Sequence, residues 1–206
     1  MSTQPTQAIV FDIGKVLFGY RPEYILSQLL PDTPHADIFL QRLFYHQLWQ
    51  DLDRGDLSQD EAIDRLCEAH PDLRAGFSRI LNDFVYHLEP IEDTHKLFLE
   101  LHELGYPLYF LSNFQDKPFD KLIEAYPFMQ KATGAIVSAK VNRMKPEPDI
   151  YRALIQTYDL NPEFTVFIDD LKENIAEAKN HGLHGIVYET SGQVRGDLAA
   201  WLAEQS

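Results

Sequence analysis

Three apolar runs in this chain each end in a residue that can carry chemistry, and that recurrence constrains the fold more than any other feature of the sequence. Ala8-Ile-Val-Phe11 delivers Asp12, Tyr106-Pro-Leu-Tyr-Phe-Leu111 delivers Ser112-Asn113, and Phe164-Thr-Val-Phe-Ile168 delivers Asp169-Asp170. Runs so rich in β-branched and aromatic residues read as strands buried on both faces of a parallel sheet. Open sheets of this kind bind ligands in the crevice beyond the carboxyl ends of their strands. Gly14, two residues after Asp12, lets the backbone turn tightly at that crevice.

The segments between these runs carry a helical period. A helix through Leu97, Leu101 and Leu104 stops at Gly105, and others are expected around Phe119 to Tyr126, Ile150 to Tyr158, Ile175 to Gly182 and Leu198 to Leu202. Ala135-Ile-Val-Ser138 and Gly185-Ile-Val-Tyr188 supply two further strands. The alternation predicts an α/β fold with a five-stranded parallel sheet and helices on both faces. From Tyr20 to about Leu88 the pattern differs. Tyr24-Ile25-Leu29, Phe39-Leu43-Phe44-Leu48, Ile63-Leu66-Cys67 and Phe77 to Val85 recur three and four residues apart, with turns at Pro31-Asp-Thr-Pro34 and Asp53-Arg-Gly-Asp56. Ser58 with Glu61 has capping-box spacing. This stretch predicts a small all-helical insert of about four helices.

Charge narrows the functional classes. Thirty-two acidic against eighteen basic residues give a formal net charge of -14, with no basic cluster, which argues against nucleic acid and anionic membrane surfaces as partners. The one cysteine, Cys67, sits at helical spacing among Ile63, Leu66 and Ala69 and reads as a small core residue in a reducing, cytoplasmic setting. The N-terminal segment lacks the basic and long apolar regions of a signal peptide, and no run approaches a membrane span.

In a parallel sheet, Asp12, Ser112-Asn113 and Asp169-Asp170 share one edge, and Lys145 stands in a loop before a helix. Several carboxylates suit a hard cation such as Mg²⁺, a lysine and a serine hydroxyl suit phosphate oxygens, and an aspartate between metal and lysine can attack phosphorus. Taken singly, each also has a structural reading: Ser112-Asn113 as a helix cap, Lys145 as a solvated lysine, Asp169-Asp170 as acids at a helix N-terminus. Their joint occurrence in this order points to phosphoryl transfer.

Phe11-Asp-Ile-Gly-Lys-Val-Leu17, Phe110-Leu-Ser-Asn113, Lys145-Pro-Glu-Pro-Asp-Ile-Tyr151 and Phe167-Ile-Asp-Asp-Leu-Lys-Glu-Asn174 resemble the four ordered motifs of the haloacid dehalogenase-like (HAD) superfamily. The resemblance spans nearly the whole chain. It implies a Rossmann-like core at residues 1–18 and 89–206 and a helical cap at 19–88. The Asp-x-Gly-x-Val-Leu opening and Arg54-Gly-Asp-Leu-Ser58 resemble the bacterial α-glucose-1-phosphatase branch. By position, Asp12 would be the nucleophile and a metal ligand, and the carbonyl of Gly14 a second ligand. Ser112 and Asn113 would bind the phosphoryl group, Lys145 would neutralise it and orient Asp12, and Asp170 would complete the Mg²⁺ site. Asp169 would ligate directly or through water, and Asn174 would support the loop.

Most phosphatases of this superfamily carry a second aspartate two residues after the nucleophile, as acid to the leaving group and base to water. Gly14 holds that position here, as in the branch resembled, and a missing general acid typically costs about 10² to 10⁴ in rate. Lys15 also stands where that branch commonly has asparagine or glycine, and reads as a solvated lysine. His181 and His184 flank the helix stop at Gly182 and read as a C-terminal charge pair rather than metal ligands. Trp49, Phe44 and Tyr45 read as cap core or as pocket lining. The expected activity is a Mg²⁺-dependent phosphatase acting through an aspartyl-phosphate on a small phosphorylated metabolite, a sugar phosphate among the candidates, in a monomer or homodimer. The competing readings are a 2-haloacid dehalogenase, against which the Asp169-Asp170 pair argues, and a non-catalytic phosphate-binding domain.

Overall fold

The structure, a computed structural model, describes residues 7–205; the signal-peptide expectation, which rests on the first residues, falls largely outside them. The elements in chain order are β1 (Ala8–Phe11), β2 (Phe18–Gly19), α1 (Pro22–Leu29), α2 (Ala36–Phe39), α3 (Gln47–Arg54), α4 (Gln59–Ala69), α5 (Arg74–Asp83) and β3 (Glu89–Pro90). They continue as α6 (Glu92–Glu103), β4 (Leu108–Ser112), α7 (Asp116–Ala125), β5 (Gly134–Val137), α8 (Ser138–Val141) and α9 (Pro148–Thr157). The last are β6 (Thr165–Asp169), α10 (Lys172–Asn180), β7 (His184–Val187) and α11 (Ser191–Glu204).

Five strands form one parallel sheet in the order β5-β4-β1-β6-β7. The three inner strands, β4, β1 and β6, are the runs whose ends carry Ser112, Asp12 and Asp169, so those residues emerge side by side. Alternate residues feed opposite faces, as the two-residue period of a strand requires. Ile9, Phe11, Leu108, Phe110, Val166 and Ile168 pack with Phe98 of α6 and Leu198 of α11. Val10, Tyr109, Leu111 and Phe167 pack with Tyr151 of α9 and Ile175 of α10. The sheet is therefore covered on both sides. Gly105, at φ 86°, ends α6 in the left-handed conformation that glycine adopts without a Cβ clash.

Between β1 and α6 the chain is helical apart from the two-residue strands β2 and β3. These pair antiparallel, Phe18 with Pro90 and Gly19 with Glu89, so the chain leaves and rejoins the sheet region at one point. The capping box at Ser58 and Glu61 forms. Where about four helices are expected, five α-helices form among the described residues, because the Phe39 to Leu48 run breaks. A π turn over Leu40–Phe44 follows α2, and His46, in extended backbone, caps α3 by accepting from the Leu48 N–H at 3.2 Å. The break lets Phe44 stack on Trp49 with ring centroids 4.9 Å apart. Cys67 is half-buried against the core. Among the described residues, no helix is long and apolar enough to cross a membrane.

Candidate active site

β1 hands its register directly to Asp12, whose N–H donates to the Ile168 carbonyl at 2.9 Å as one more rung toward β6. The side chain then turns back on its own chain: Oδ1 accepts from the Ile13 N–H at 2.7 Å. Lys145, on the loop between α8 and α9, is 3% exposed and reaches across the strand ends. Its Nζ lies 2.9 Å from Asp12 Oδ1 and 2.6 Å from Asp169 Oδ2. Burying a lysine costs heavily unless it is paired, and here two carboxylates share it.

Two amide side chains fix this arrangement. Asn113 clamps the backbone of Lys145, accepting from its N–H at 2.8 Å and donating to its carbonyl at 2.9 Å. Asn174, on α10, donates to both oxygens of Asp169 at 2.9 and 3.0 Å, and the Leu171 N–H adds a bond of 2.8 Å. Asp169 is thus fully buried and fully engaged. Asp170 remains half-buried at the cavity wall, with Lys15 Nζ 3.6 Å from its carboxylate.

The electrostatics leave negative charge in excess. Burial pushes the Asp12 carboxyl up to about 6, against the lowering pull of Lys145 and with further raising by Asp169. Burial and the neighbouring Asp169 also raise Asp170. Burial alone would lower Lys145, but the two carboxylates beside it raise it, so it stays charged. Carboxylate oxygens of Asp12, Asp169 and Asp170 lie within 4.8 Å of one another. An all-oxygen donor set of three carboxylates around one buried lysine fits a hard divalent cation such as Mg²⁺. Because Asp169 is already saturated by lysine, amide and backbone donors, Asp12 and Asp170 are the oxygens best placed to hold it.

A cavity of about 180 Å³ opens over these groups. Asp12, Gly14, Ser112, Asn113, Lys145, Asp170 and Asn174 line it, and Asp169 lies behind them. The side-chain amide of Asn113 is taken up by the Lys145 backbone. Lys15 also lines it, from a left-handed backbone at φ 58°. Asparagine and glycine tolerate that conformation better than lysine does, which explains in physical terms why they are the residues expected there. His181 caps α10 with its ring nitrogen 3.1 Å from Glu177. His184 instead opens β7 and stacks on Trp201 with centroids 5.7 Å apart, so the two histidines do not form a pair.

The opposite wall is built by residues from the helical stretch and the chain leading into it, chiefly Tyr20, Trp49, Asp53 and Phe84. Phe44 lies beneath Trp49, and Tyr45 is exposed and hydrogen-bonded to Glu23. Sequence reasoning placed Asp53 in a turn. Its four-residue spacing from Trp49 on one helix face was the available signal that the two share a surface.

A family model described as haloacid dehalogenase-like hydrolase matches residues 6–182. The chain is 24% identical over 180 residues to the sesquiterpene phosphatase astK of Aspergillus oryzae, covering 87% of this chain and 88% of that protein. It is 26% identical over 219 residues to the D-ribitol-5-phosphate phosphatase of Bacteroides thetaiotaomicron, covering 94% and 97%. A HAD family enzyme of Bacteroides thetaiotaomicron, solved in complex with magnesium and inorganic phosphate, superposes with a TM-score of 0.73 at 20% identity over 89% of this chain and 94% of that one. A HAD-like family hydrolase from Porphyromonas gingivalis gives 0.75 at 22% identity over 96% and 98%. At such identities the structural likeness shows the fold.

Proposed function

The chain belongs to the haloacid dehalogenase-like hydrolases, and on that premise we propose that it is a Mg²⁺-dependent phosphatase of a small phosphorylated metabolite. The observation that carries this reading is Lys145 set between Asp12 and Asp169 beside a third carboxylate, Asp170. The named relatives that act on phosphate esters support it. A sugar phosphate, as in the α-glucose-1-phosphatase branch, is the substrate class the Arg54-Gly-Asp-Leu-Ser58 segment points to. We take residues 19–88 as the cap and 1–18 with 89–206 as the core.

In this reading Asp12 attacks phosphorus and carries the phosphoryl group as an aspartyl-phosphate until water releases it. Lys145 and the Ile13 N–H both bind Asp12 Oδ1, which holds the carboxylate plane in one orientation toward the cavity. Lys145 and the Ser112 hydroxyl meet the phosphoryl oxygens, with the main-chain N–H of Asn113 beside them. Asp12, Asp170 and the Gly14 carbonyl would hold the Mg²⁺, with Asp169 behind them as organiser. Bound there, Mg²⁺ would neutralise phosphate charge and favour the ionised form of the Asp12 carboxyl.

The test is phosphate release from sugar phosphates, nucleotides and an activated aryl phosphate, with Mg²⁺ or with EDTA. Wild type is expected to release phosphate only with Mg²⁺, and Asp12→Asn to lose turnover on every substrate. Metal-independent halide release from 2-haloacids, without phosphate release, would replace this reading with the dehalogenase one.

A further inference from the structure

Protonation of the departing oxygen is the step for which the sheet edge offers no uncommitted carboxylate. Gly14 has no side chain, and Asp12, Asp169, Asp170 and Lys145 are committed to one another. Among the described residues that line the cavity, Asp53 is the carboxylate outside that cluster.

Its placement is firmly tied. Asp53 lies in the last turn of α3, one turn beyond Trp49, on the same cavity wall. The Ser138 hydroxyl donates to the Asp53 carbonyl, Arg54 pairs with Glu147, and Asn142 Nδ2 donates to the Gly55 carbonyl at 3.1 Å. Gly55, at φ 84°, lies so close to α8 that a Cβ there would meet the Ala139 carbonyl oxygen at 2.5 Å. These four contacts strap the Asp53 turn to the core, and Glu147 is only two residues past Lys145. Burial raises the Asp53 carboxyl well above the usual carboxylate range, with Gln115 and Trp49 acting the other way, which favours a bound proton. On the same cavity wall, the Tyr20 hydroxyl is buried without a hydrogen-bond partner among the described residues. A buried hydroxyl left unpaired at a cavity wall is capacity for a ligand's oxygen.

We propose that Asp53 is the general acid and base of the reaction, acting on the leaving-group oxygen across the cavity from Asp12, with the Tyr20 hydroxyl binding the same leaving group. As Asp12 bonds to phosphorus and the phosphorus–oxygen ester bond breaks, the Asp53 carboxyl gives its proton to the departing oxygen, and an alcohol leaves. Asp53, now a carboxylate, then takes a proton from the water that attacks the aspartyl-phosphate. Asp12 is freed, inorganic phosphate leaves, and the Asp53 proton is restored.

This inference rests on the phosphatase reading, and the two fail differently. The experiment measures first-turnover release of the alcohol or phenol from phosphate esters graded in leaving-group acidity, with Mg²⁺, for wild type and Asp53→Asn. The expected loss in Asp53→Asn grows as the leaving group becomes poorer, reaching about 10² to 10⁴ on alkyl phosphates and staying smallest on an activated aryl phosphate. Residual turnover of the aryl ester also reports a folded variant. An equal loss on every ester, or none on alkyl esters, overturns the role of Asp53. Failure of wild type to release any of them overturns the phosphatase reading instead.

Discussion

On the sheet edge, the charged side chains are held by one another: Lys145 sits between two carboxylates and Asp169 accepts from lysine, amide and backbone. On the facing wall, the Tyr20 hydroxyl has no hydrogen-bond partner among the described residues, and Asp53 lies among aromatic side chains with its proton favoured by burial. Groups that must present one fixed geometry to phosphorus are tied down in advance, so that little reorganisation is left for the reaction. Groups that face a variable leaving group keep hydrogen-bonding capacity in reserve.

The sharpest way to break this contrast is to remove the cation from the floor. Lys145→Met leaves Asp12 and Asp169 as buried carboxylates without their shared partner, which costs about 3–5 kcal/mol and lowers the melting temperature by roughly 10 °C. Phosphate release is expected to fall below detection in the same variant. Dissolving the strap on the facing wall has a smaller effect. Gly55→Ala forces a Cβ against the Ala139 carbonyl in a left-handed backbone, at a cost of about 2 kcal/mol by urea unfolding. Its kcat is expected to drop more on alkyl than on aryl esters, because the displaced group is Asp53. The smallest effect belongs to the rim. Lys15→Asn relieves the φ of 58° and stabilises the protein by up to about 1 kcal/mol, since the lost ion pair with Asp170 is long, at 3.6 Å, and its lysine is exposed.

The same division governs what the amino-acid sequence discloses. Ile9 to Phe11, Leu108 to Leu111 and Val166 to Ile168 announce buried strands because a two-faced parallel strand must be apolar throughout, and a polar residue at its end then has one place to go. Asp12, Ser112 and Asp169 were legible for that reason. Asp53 was not, because nothing in its own neighbourhood distinguishes a turn acid from a cavity acid. Its direction is set by Ser138, Asn142 and Glu147, more than eighty residues later. The break at His46 was hidden likewise: the apolar spacing through Leu48 continues unbroken across the π turn, at the end of which Phe44 stacks on Trp49.

The central position of β1 carries a consequence for biosynthesis. The strand that bears Asp12 emerges from the ribosome first, yet its two neighbours begin at Leu108 and Thr165. At ordinary rates of translation the second edge of β1 stays open for roughly 10 to 30 s while the chain between is made. During that time an apolar strand with unpaired backbone is available to chaperones or to other nascent chains. The edge that carries Asp12 is therefore completed only once β6 has been made, long after Asp12 itself.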